Sequence, residues 1–398
     1  MNRKTFIRLA GGGVLAAASG WLAAVSGAAV PDAATTAWRD FPSQDDPRKW
    51  ALAYALLAPN PHNLQPWMAD LRTPGEILLT LDPERRLPAT DPFGRQIMMG
   101  AGAFLELLAI AAAKVGYQAD IQLFPEGEPE PEPHSKPVAR IRLAKVGAIA
   151  SSSLFAAIPN RRTERGVYDP DHPVSETQVA AMEDSVRGMN VRFGVAGRVQ
   201  SDTSDKSDKA RLAEIRRIAR DGWRVEVTTE STFMESMRLM RIGGAEIDRH
   251  RDGIAAPSAA FLAADKLGLF NRSRYPGADS MAIKSQLQRF DDLTASTPSY
   301  LWLTTSTNTR AAQIEAGRAY ARLNLAGTLL GLAMHPNEQA LQEFPEMASN
   351  YRDIHQLLAP DQRGATVQML ARLGTLPQGV ATSKPAPRRG LDAQLQKG

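Results

Sequence analysis

The ten residues Ala58-Pro-Asn-Pro-His-Asn-Leu-Gln-Pro-Trp67 join two different periodicities. Before them, Trp50-Ala-Leu-Ala-Tyr-Ala-Leu-Leu57 carries apolar side chains at helical spacing; after them comes a strand-like run. Between the two, prolines stiffen a turn that bears three amides, Asn60, Asn63 and Gln65. A turn held rigid in advance can aim amide donors and acceptors at a flat heteroaromatic ring with little ordering entropy left to lose.

Outward from this turn the chain reads as two halves. The first, residues 40–148, has a helix near 48–57, strands near 67–71 and 77–81, a long helix from about 95 to 115, and a strand pair near 121–124 and 138–143. Between that pair, Pro125-Glu-Gly-Glu-Pro-Glu-Pro-Glu-Pro133 is expected to be extended and solvated, because Pro removes backbone donors and Glu resists burial. The second half, residues 149–398, has a short helix ending at Pro159, a helix near 175–186 and a strand at 191–195. Polar turn material follows at 201–209. A helical insertion covers about 228–297 and reads as a lid. A strand at 299–304, a long helix at about 310–332, a strand near 367–373 and a basic tail complete the chain.

The two long helices align on each other. Gly102 and Gly116 are spaced as Gly317 and Gly331 are, and Leu108, Ile110 and Ala111 fall on Leu323, Leu325 and Ala326. Positions 105, 108, 112 and 115 in one, and 321, 324, 328 and 331 in the other, recur at helical spacing. Small residues on such faces let two backbones approach closely. Two ordinary Ala-rich core helices are the alternative. The preferred expectation is an α+β chain folded as an intramolecular pseudo-dimer around two long central helices.

A second cluster, Pro159-Asn-Arg-Arg-Thr-Glu-Arg-Gly-Val-Tyr168, places Arg161, Arg162, Thr163 and Arg165 in one short run. Guanidinium is the side chain best shaped to hold a phosphate bidentately. The turn resembles the Pro-Ser-x-x-Asn-x-Gln-Pro-Trp signature of the nitroreductase family, with Asn60 where that pattern has Ser. The Arg run resembles that family's Arg-Arg-Ser-x-Arg element, with Thr163 in the Ser place. The layout as a whole is similar to the Acg-type branch, in which one chain holds two nitroreductase-like halves.

That resemblance implies FMN as cofactor, with Asn60, Asn63 and Gln65 from one half and Arg161, Arg162, Thr163 and Arg165 from the other. Arg388 and Arg389 match basic residues that close over the phosphate, and His335, in the loop His335-Pro-Asn-Glu338, is placed by position near the reactive ring nitrogen. Arg251, Arg272 and Arg274 of the insertion are candidates to cover the ring. The turn occurs only in the first half. Its second-half counterpart, near Gly188-Met-Asn190, lacks Gln-Pro-Trp, and Trp38-Arg-Asp-Phe-Pro42 lacks the Arg pattern. One complete site, and so one FMN per chain, is expected.

The implied activity is two-electron reduction of nitro-compounds, quinones or similar small-molecule acceptors, by an electron donor the sequence does not name. A flavin-sequestering protein with a lid over FMN is the alternative. No residue is singled out as a catalytic nucleophile or base, and His62 reads as a turn residue.

Composition narrows the classes further. The chain has 398 residues, 43% hydrophobic and 23% charged, with net charge +4, which suits two globular domains. Lys and Arg are scattered among acids, against nucleic-acid binding. The six His never fall at metal-ligand spacing, and zero Cys excludes thiol chemistry. Residues 1–29 combine a basic start, an apolar stretch at 9–24 and small residues at 26–28. They resemble a twin-arginine export signal with Lys4 in the second Arg place, or an uncleaved anchor. The Tat machinery and a periplasmic or exported location are the corresponding expectations, with no later segment long and apolar enough to span a membrane. A pseudo-dimer within one chain implies a monomer.

Overall fold

The computed structural model describes residues 27–147, 152–199, 206–360 and 364–396, so the expected leader and anchor at 1–29 falls almost wholly outside the described residues. The first half opens with α1 (Pro47–Ala55), which has Pro47 at its first position and the Asp46 carboxylate accepting from Arg48 N. A 3₁₀ turn, Pro61–Asn63, leads into β1 (Trp67–Asp70) and β2 (Glu76–Leu81). β2 alternates in burial residue by residue, as a strand with one face on the core must. Then come α2 (Arg95–Lys114), β3 (Tyr117–Leu123) and β4 (Ala139–Lys145). The antiparallel sheet runs β1-β2-β4-β3.

In the second half, α3 (Glu176–Ser185) starts with a capping box between Ser175 and Gln178 and precedes β5 (Arg192–Ala196). A helix-rich stretch follows: α4 (Lys206–Thr228), α5 (Glu230–Leu239), β6 (Met240–Ile242), α6 (Gly243–His250), β7 (Ile254–Ala256), α7 (Ala259–Lys266) and α8 (Met281–Ala295). The chain closes with β8 (Ser299–Thr305), α9 (Arg310–Leu329), β9 (Ala333–Pro336), α10 (Ala348–Leu358) and β10 (Thr366–Gly374). This sheet runs β5-β8-β10-β9. α4 belongs to the second core, where Ile215 and Ile218 pack with Tyr300, Ile354 and Leu370. Beyond it the insertion builds a small core of its own from Val227, Phe233, Met237 and Ile283.

α2 and α9 cross at two glycines. A Cβ on Gly102 would sit 2.0 Å from the Ile314 carbonyl oxygen, and one on Gly317 would sit 1.9 Å from that of Met99. Each glycine therefore faces the residue three places before its counterpart, which is the reciprocity of a two-fold crossing. The closest approach thus lies toward the helix starts, ahead of the expected faces at 105–115 and 321–331. Gly116 and Gly331, at φ +84° and +72°, serve instead to end the helices. Buried Glu106 of α2 accepts from Arg318 (2.9 Å) and Arg322 (2.6 Å) of α9 and locks the register.

Arg95 and Arg310, the first residues of the two helices, each reach into the opposite half. Arg95 donates to the Gln368 and Leu341 carbonyls, and Arg310 to those of Phe93, Pro129 and Pro131. That clasp corrects the expectation for 125–133. Pro129 and Pro133 are buried, because a guanidinium from the other half satisfies the carbonyls that alternating prolines leave unpaired. A second correction concerns membranes. α2 is long and apolar enough to cross one by length and composition, yet its most apolar stretch is 83% buried as a core helix. Finally, the tail does not stay with its own half: Leu395 bridges Ala69 of β1 in parallel, and Gln396 N donates to the Ala69 carbonyl.

Candidate functional site

The turn that opens the sequence argument is strained. His62, Asn63 and Gln65 lie at φ +49°, +54° and +52°, the left-handed region that costs a non-glycine residue ~1 kcal/mol or more. Asn60 staples it from within, its Oδ1 accepting from Gln65 N (2.8 Å) and its Nδ2 donating to Ala58 O (3.1 Å). The insertion holds it from one side: Gly253 N donates to Asn63 O, and Gln65 Nε2 donates to Arg251 O. The tail holds it from the other. Arg389 N and Gln394 Nε2 donate to Gln65 Oε1, and Arg388 donates to Asn63 Oδ1.

These contacts revise the expected roles. Gln65 has no exposed surface and its amide is consumed by protein partners, so it anchors the tail where a ring edge was expected. Asn60 and Asn63 are likewise engaged within the protein. Arg388, 3% exposed, directs its donors to the carbonyls of Leu56, Leu57 and Ala58 as well as to Asn63. A cation there satisfies the orphan carbonyls at the end of α1. Arg389 turns away to Gln65 O (2.6 Å), toward Arg85, Asp82 and Asp252. Arg251 and Arg272 pair with Asp248 and Glu246, and Arg274 is exposed.

The Arg161–Arg165 run does meet the turn across the seam between the halves. Arg161 Nη2 donates to Leu57 O (3.0 Å) and Nη1 to Asn324 Oδ1 of α9 (3.4 Å), leaving its buried Nε without a partner. Arg162 donates to the Pro159 and Arg161 carbonyls, and the Thr163 hydroxyl makes no hydrogen bond among the described residues. Trp38, quoted above only as the place where a second Arg pattern is missing, lies under this cluster. Arg161, Arg162 and Arg388 stand 5.5, 5.0 and 5.2 Å from its ring, and its Nε1 donates to Ala386 O. Three like charges are held together by one aromatic face.

Glu164 acts on Arg162, but the charges of Arg161 and Arg388 have no such partner. Burial lowers the Arg161 pKa to about 10, with Arg162 and Arg165 adding to the effect and Tyr320 opposing it. Arg388 falls well below its ordinary value through burial, then through Arg161 and Arg165. No carboxylate acts on either. The nearest acid in sequence, Glu164, is occupied by Ser383 N and Oγ. Arg165 has exposed surface yet dense surroundings that lower its pKa, and it makes no hydrogen bond or ion pair among the described residues.

Two histidines feel the charge of Arg165 and are held neutral. His62, set aside above as a turn residue, is lowered to about 4 by burial and by Arg165, and its Nε2 meets Ser236 Oγ of α5 at 3.1 Å. His335 sits on edge strand β9, where a loop was expected. Burial and then Arg165, Arg372 and Arg289 hold it well below its ordinary pKa. Arg372 of β10, which the sequence argument missed, places Nη1 3.4 Å from His335 Nδ1 and lies over the Tyr168 ring at 4.2 Å. The only cue was a charge inside the otherwise apolar run Thr366–Gly374. Among the described residues there is no His, Cys, Asp or Glu group fit for a metal.

No family model matches the chain. It is 28% identical over 362 residues, 89% of its own length and 92% of the relative's, to a Mycobacterium tuberculosis protein named "Putative NAD(P)H nitroreductase". It is 26% identical over 355 residues to the Mycobacterium tuberculosis protein named "Putative NAD(P)H nitroreductase acg", covering 86% of this chain and 93% of that one. Among solved structures, a nitroreductase-named protein of Anabaena variabilis covers 89% of this chain and 93% of its own (TM-score 0.45, 10% identity). A Bacteroides fragilis nitroreductase with bound FMN covers 60% of this chain and 96% of its own (TM-score 0.35, 13% identity). Over nearly its whole length the chain is thus similar to proteins named as putative NAD(P)H nitroreductases, Acg among them.

Proposed function

We propose that the seam between the halves binds one FMN per chain and that the protein is an FMN-dependent oxidoreductase. It would carry out two-electron reduction of nitro-compounds, quinones or similar acceptors. The observation that carries this reading is the group Arg161, Arg165 and Arg388: guanidiniums gathered without a carboxylate, one with an orphaned buried Nε and one with no hydrogen bond. Burying a cation unpaired is costly, so such a group fits an anionic ligand such as a phosphate. The relatives' names support the class of chemistry, and NAD(P)H is the donor those names suggest.

Bound FMN would supply the hydride and electron chemistry. In this chain Arg161, Arg162 and Thr163 would hold its phosphate, with Arg388 supporting through its charge and through Asn63. Arg165 would face negative charge that grows on reduction. His62 and His335, being neutral, would donate hydrogen bonds without adding charge. The insertion, tied to the turn through Gly253, Arg251 and Ser236, would keep water out. That latching also favours a second reading, a protein that holds FMN and barely turns it over. The leader, acting as an export signal, would favour it too, since NAD(P)H is absent outside the cytoplasm.

The test is the absorbance spectrum and flavin content of protein purified without added cofactor, followed by NAD(P)H with a nitroarene or menadione. A yellow protein with about one FMN that turns over supports the enzyme. Flavin that nicotinamide does not reduce supports sequestration, and a colourless protein that takes up no FMN refutes both.

A further inference from the structure

The insertion meets the amino-terminal segment at a pair of glycines. Gly244 N of α6 donates to the carbonyl of Gly27, the first described residue. A Cβ on Gly244 would stand 2.7 Å from Ala29 O and 2.9 Å from Gly27 O, so the segment lies closer to α6 than any other residue at 244 permits. A Cβ on Gly243 would stand 3.0 Å from Leu262 Cδ1 and 3.4 Å from Gly27 O, which puts α7 at the border of the same seat. From this seat the chain leads inward to Trp38 and outward to the apolar stretch at 9–24.

The far end of α7 carries two leucines in the open. Leu267 is 68% exposed and Leu269 55%. Their turn is fixed: Leu269 N donates to Ala264 O, Gly268 N donates to Asp265 O, and Gly268 sits at φ +65°. In this helix ending the apolar residue after the glycine folds back on the last turn, but the residue available to Leu269 is Ala264, too small to cover it. Phe270 braces the turn edge-on against Phe261, ring centroids 5.6 Å apart. Leu267 follows Leu262 by five residues, about 7.5 Å along a helix axis, so the open leucines stand near the seat of the leader. Charge around them is positive. Asp265 and Glu246 both pair with Arg272, whereas Lys266 and Arg274 are exposed and make no ion pair among the described residues.

We propose that Leu267-Gly268-Leu269 is a membrane-docking tip. Both leucines enter the headgroup boundary of the anionic bilayer to which residues 9–24 lead, and Lys266 and Arg274 meet its lipid phosphates. Two apolar side chains are too few to hold a protein on a membrane alone. The seat on Gly244 supplies the second attachment, because it delivers the retained leader beside them. Docking of this kind is independent of flavin chemistry.

The chain has no Cys, so Leu269→Cys creates a single labelling site, and Leu329→Cys at the end of α9, 49% exposed, creates a control. Each full chain, carrying an environment-sensitive dye, is reconstituted into vesicles of phosphatidylcholine and phosphatidylglycerol with and without spin-labelled lipid as quencher. The label at 269 should shift to the blue and be quenched several-fold more than the label at 329. Adding Leu267→Ser should lower that quenching and leave the thermal midpoint where it was, since an exposed leucine contributes little to folding. Equal quenching at the two positions would overturn the proposal, as would a full chain that does not float with the vesicles. A label at 269 that shifts to the blue yet escapes the lipid-borne quencher would show that protein, the leader itself or a second copy, covers the turn, and would overturn it too.

Discussion

Replacing Gly317 with Ala tests the helix crossing on which the seam depends. The added Cβ would stand 1.9 Å from the Met99 carbonyl oxygen and 2.7 Å from its carbon. Both obstacles are backbone, which cannot rotate aside. Reaching ordinary contact near 3.4 Å requires α2 and α9 to part by about 1.5 Å, in an interior that is otherwise close-packed. An exposed helical Gly→Ala change would gain roughly 1 kcal/mol. Here overpacking should outweigh it, for a net loss of about 1–3 kcal/mol. Urea unfolding should show a lower midpoint at unchanged slope. Gly102→Ala meets the Ile314 carbonyl at 2.0 Å in the same crossing, so the double variant should lose less than the two single losses combined, once the first has parted the helices. Because Arg161 of the second half donates to Leu57 of the first, flavin affinity should fall with stability. A Gly317→Ala chain more stable than its parent, or strictly additive losses, would refute the close reciprocal crossing.

Other consequences follow from the buried charges. Burial first, with a smaller push from Glu235, raises the Glu226 carboxyl to about 7 against the hydrogen bond from Gln342 Nε2 (2.7 Å). A raised carboxyl pKa favours the protonated folded state, so its stabilisation is full below the unfolded value near 4.5 and is lost as pH rises through about 7. Thermal unfolding of Glu226→Gln from pH 5 to 8 should show a flatter fall than the parent and a higher midpoint at pH 8. Some slope should remain, from Glu338 at about 7 and Asp91 at about 6. Trp38→Leu should loosen the grouped guanidiniums, each worth ~0.5–2 kcal/mol on an aromatic face, and weaken flavin binding more than Trp38→Phe does, as read by flavin fluorescence. The ¹⁵N shifts of His335 should report an Nε2–H ring that stays neutral well below the ordinary histidine range, and Arg372→Met should release that tautomer.

What could be read from the sequence was local or periodic. The glycines of α2 and α9 announced themselves because a helix crossing needs small residues at fixed spacing within one element. The turn at 58–67 was legible because prolines and amides crowd a short stretch. Partners far apart along the chain were not. Nothing near Gln65 says that Arg389 and Gln394 will consume its amide, and nothing near Pro129 says that Arg310 will take its carbonyl. Arg372 was hidden for a different reason: a lone charge in an apolar strand reads as a boundary, and its value lies in His335, which only strand pairing brings opposite. β9 itself is too short, and ends in Pro336, to register as a strand.

The strained turn ties these parts together. Three left-handed residues in four positions, at ~1 kcal/mol or more each, would relax unless something outside the turn held them. The holders are Gly253 and Arg251 of the insertion on one side and Arg388, Arg389 and Gln394 of the tail on the other. His62, one of the three, faces both Arg165 and Ser236 of α5. The ring position of His62 therefore depends on whether the insertion is seated, and the insertion is seated partly by hydrogen bonds to the backbone of the same turn. The conformation of the turn and the seating of the insertion are then coupled, and an occupant of the neighbouring cationic group would bias both. An anion bound among Arg161, Arg165 and Arg388 would offset the like charges there, and so would favour the arrangement in which the insertion holds the turn.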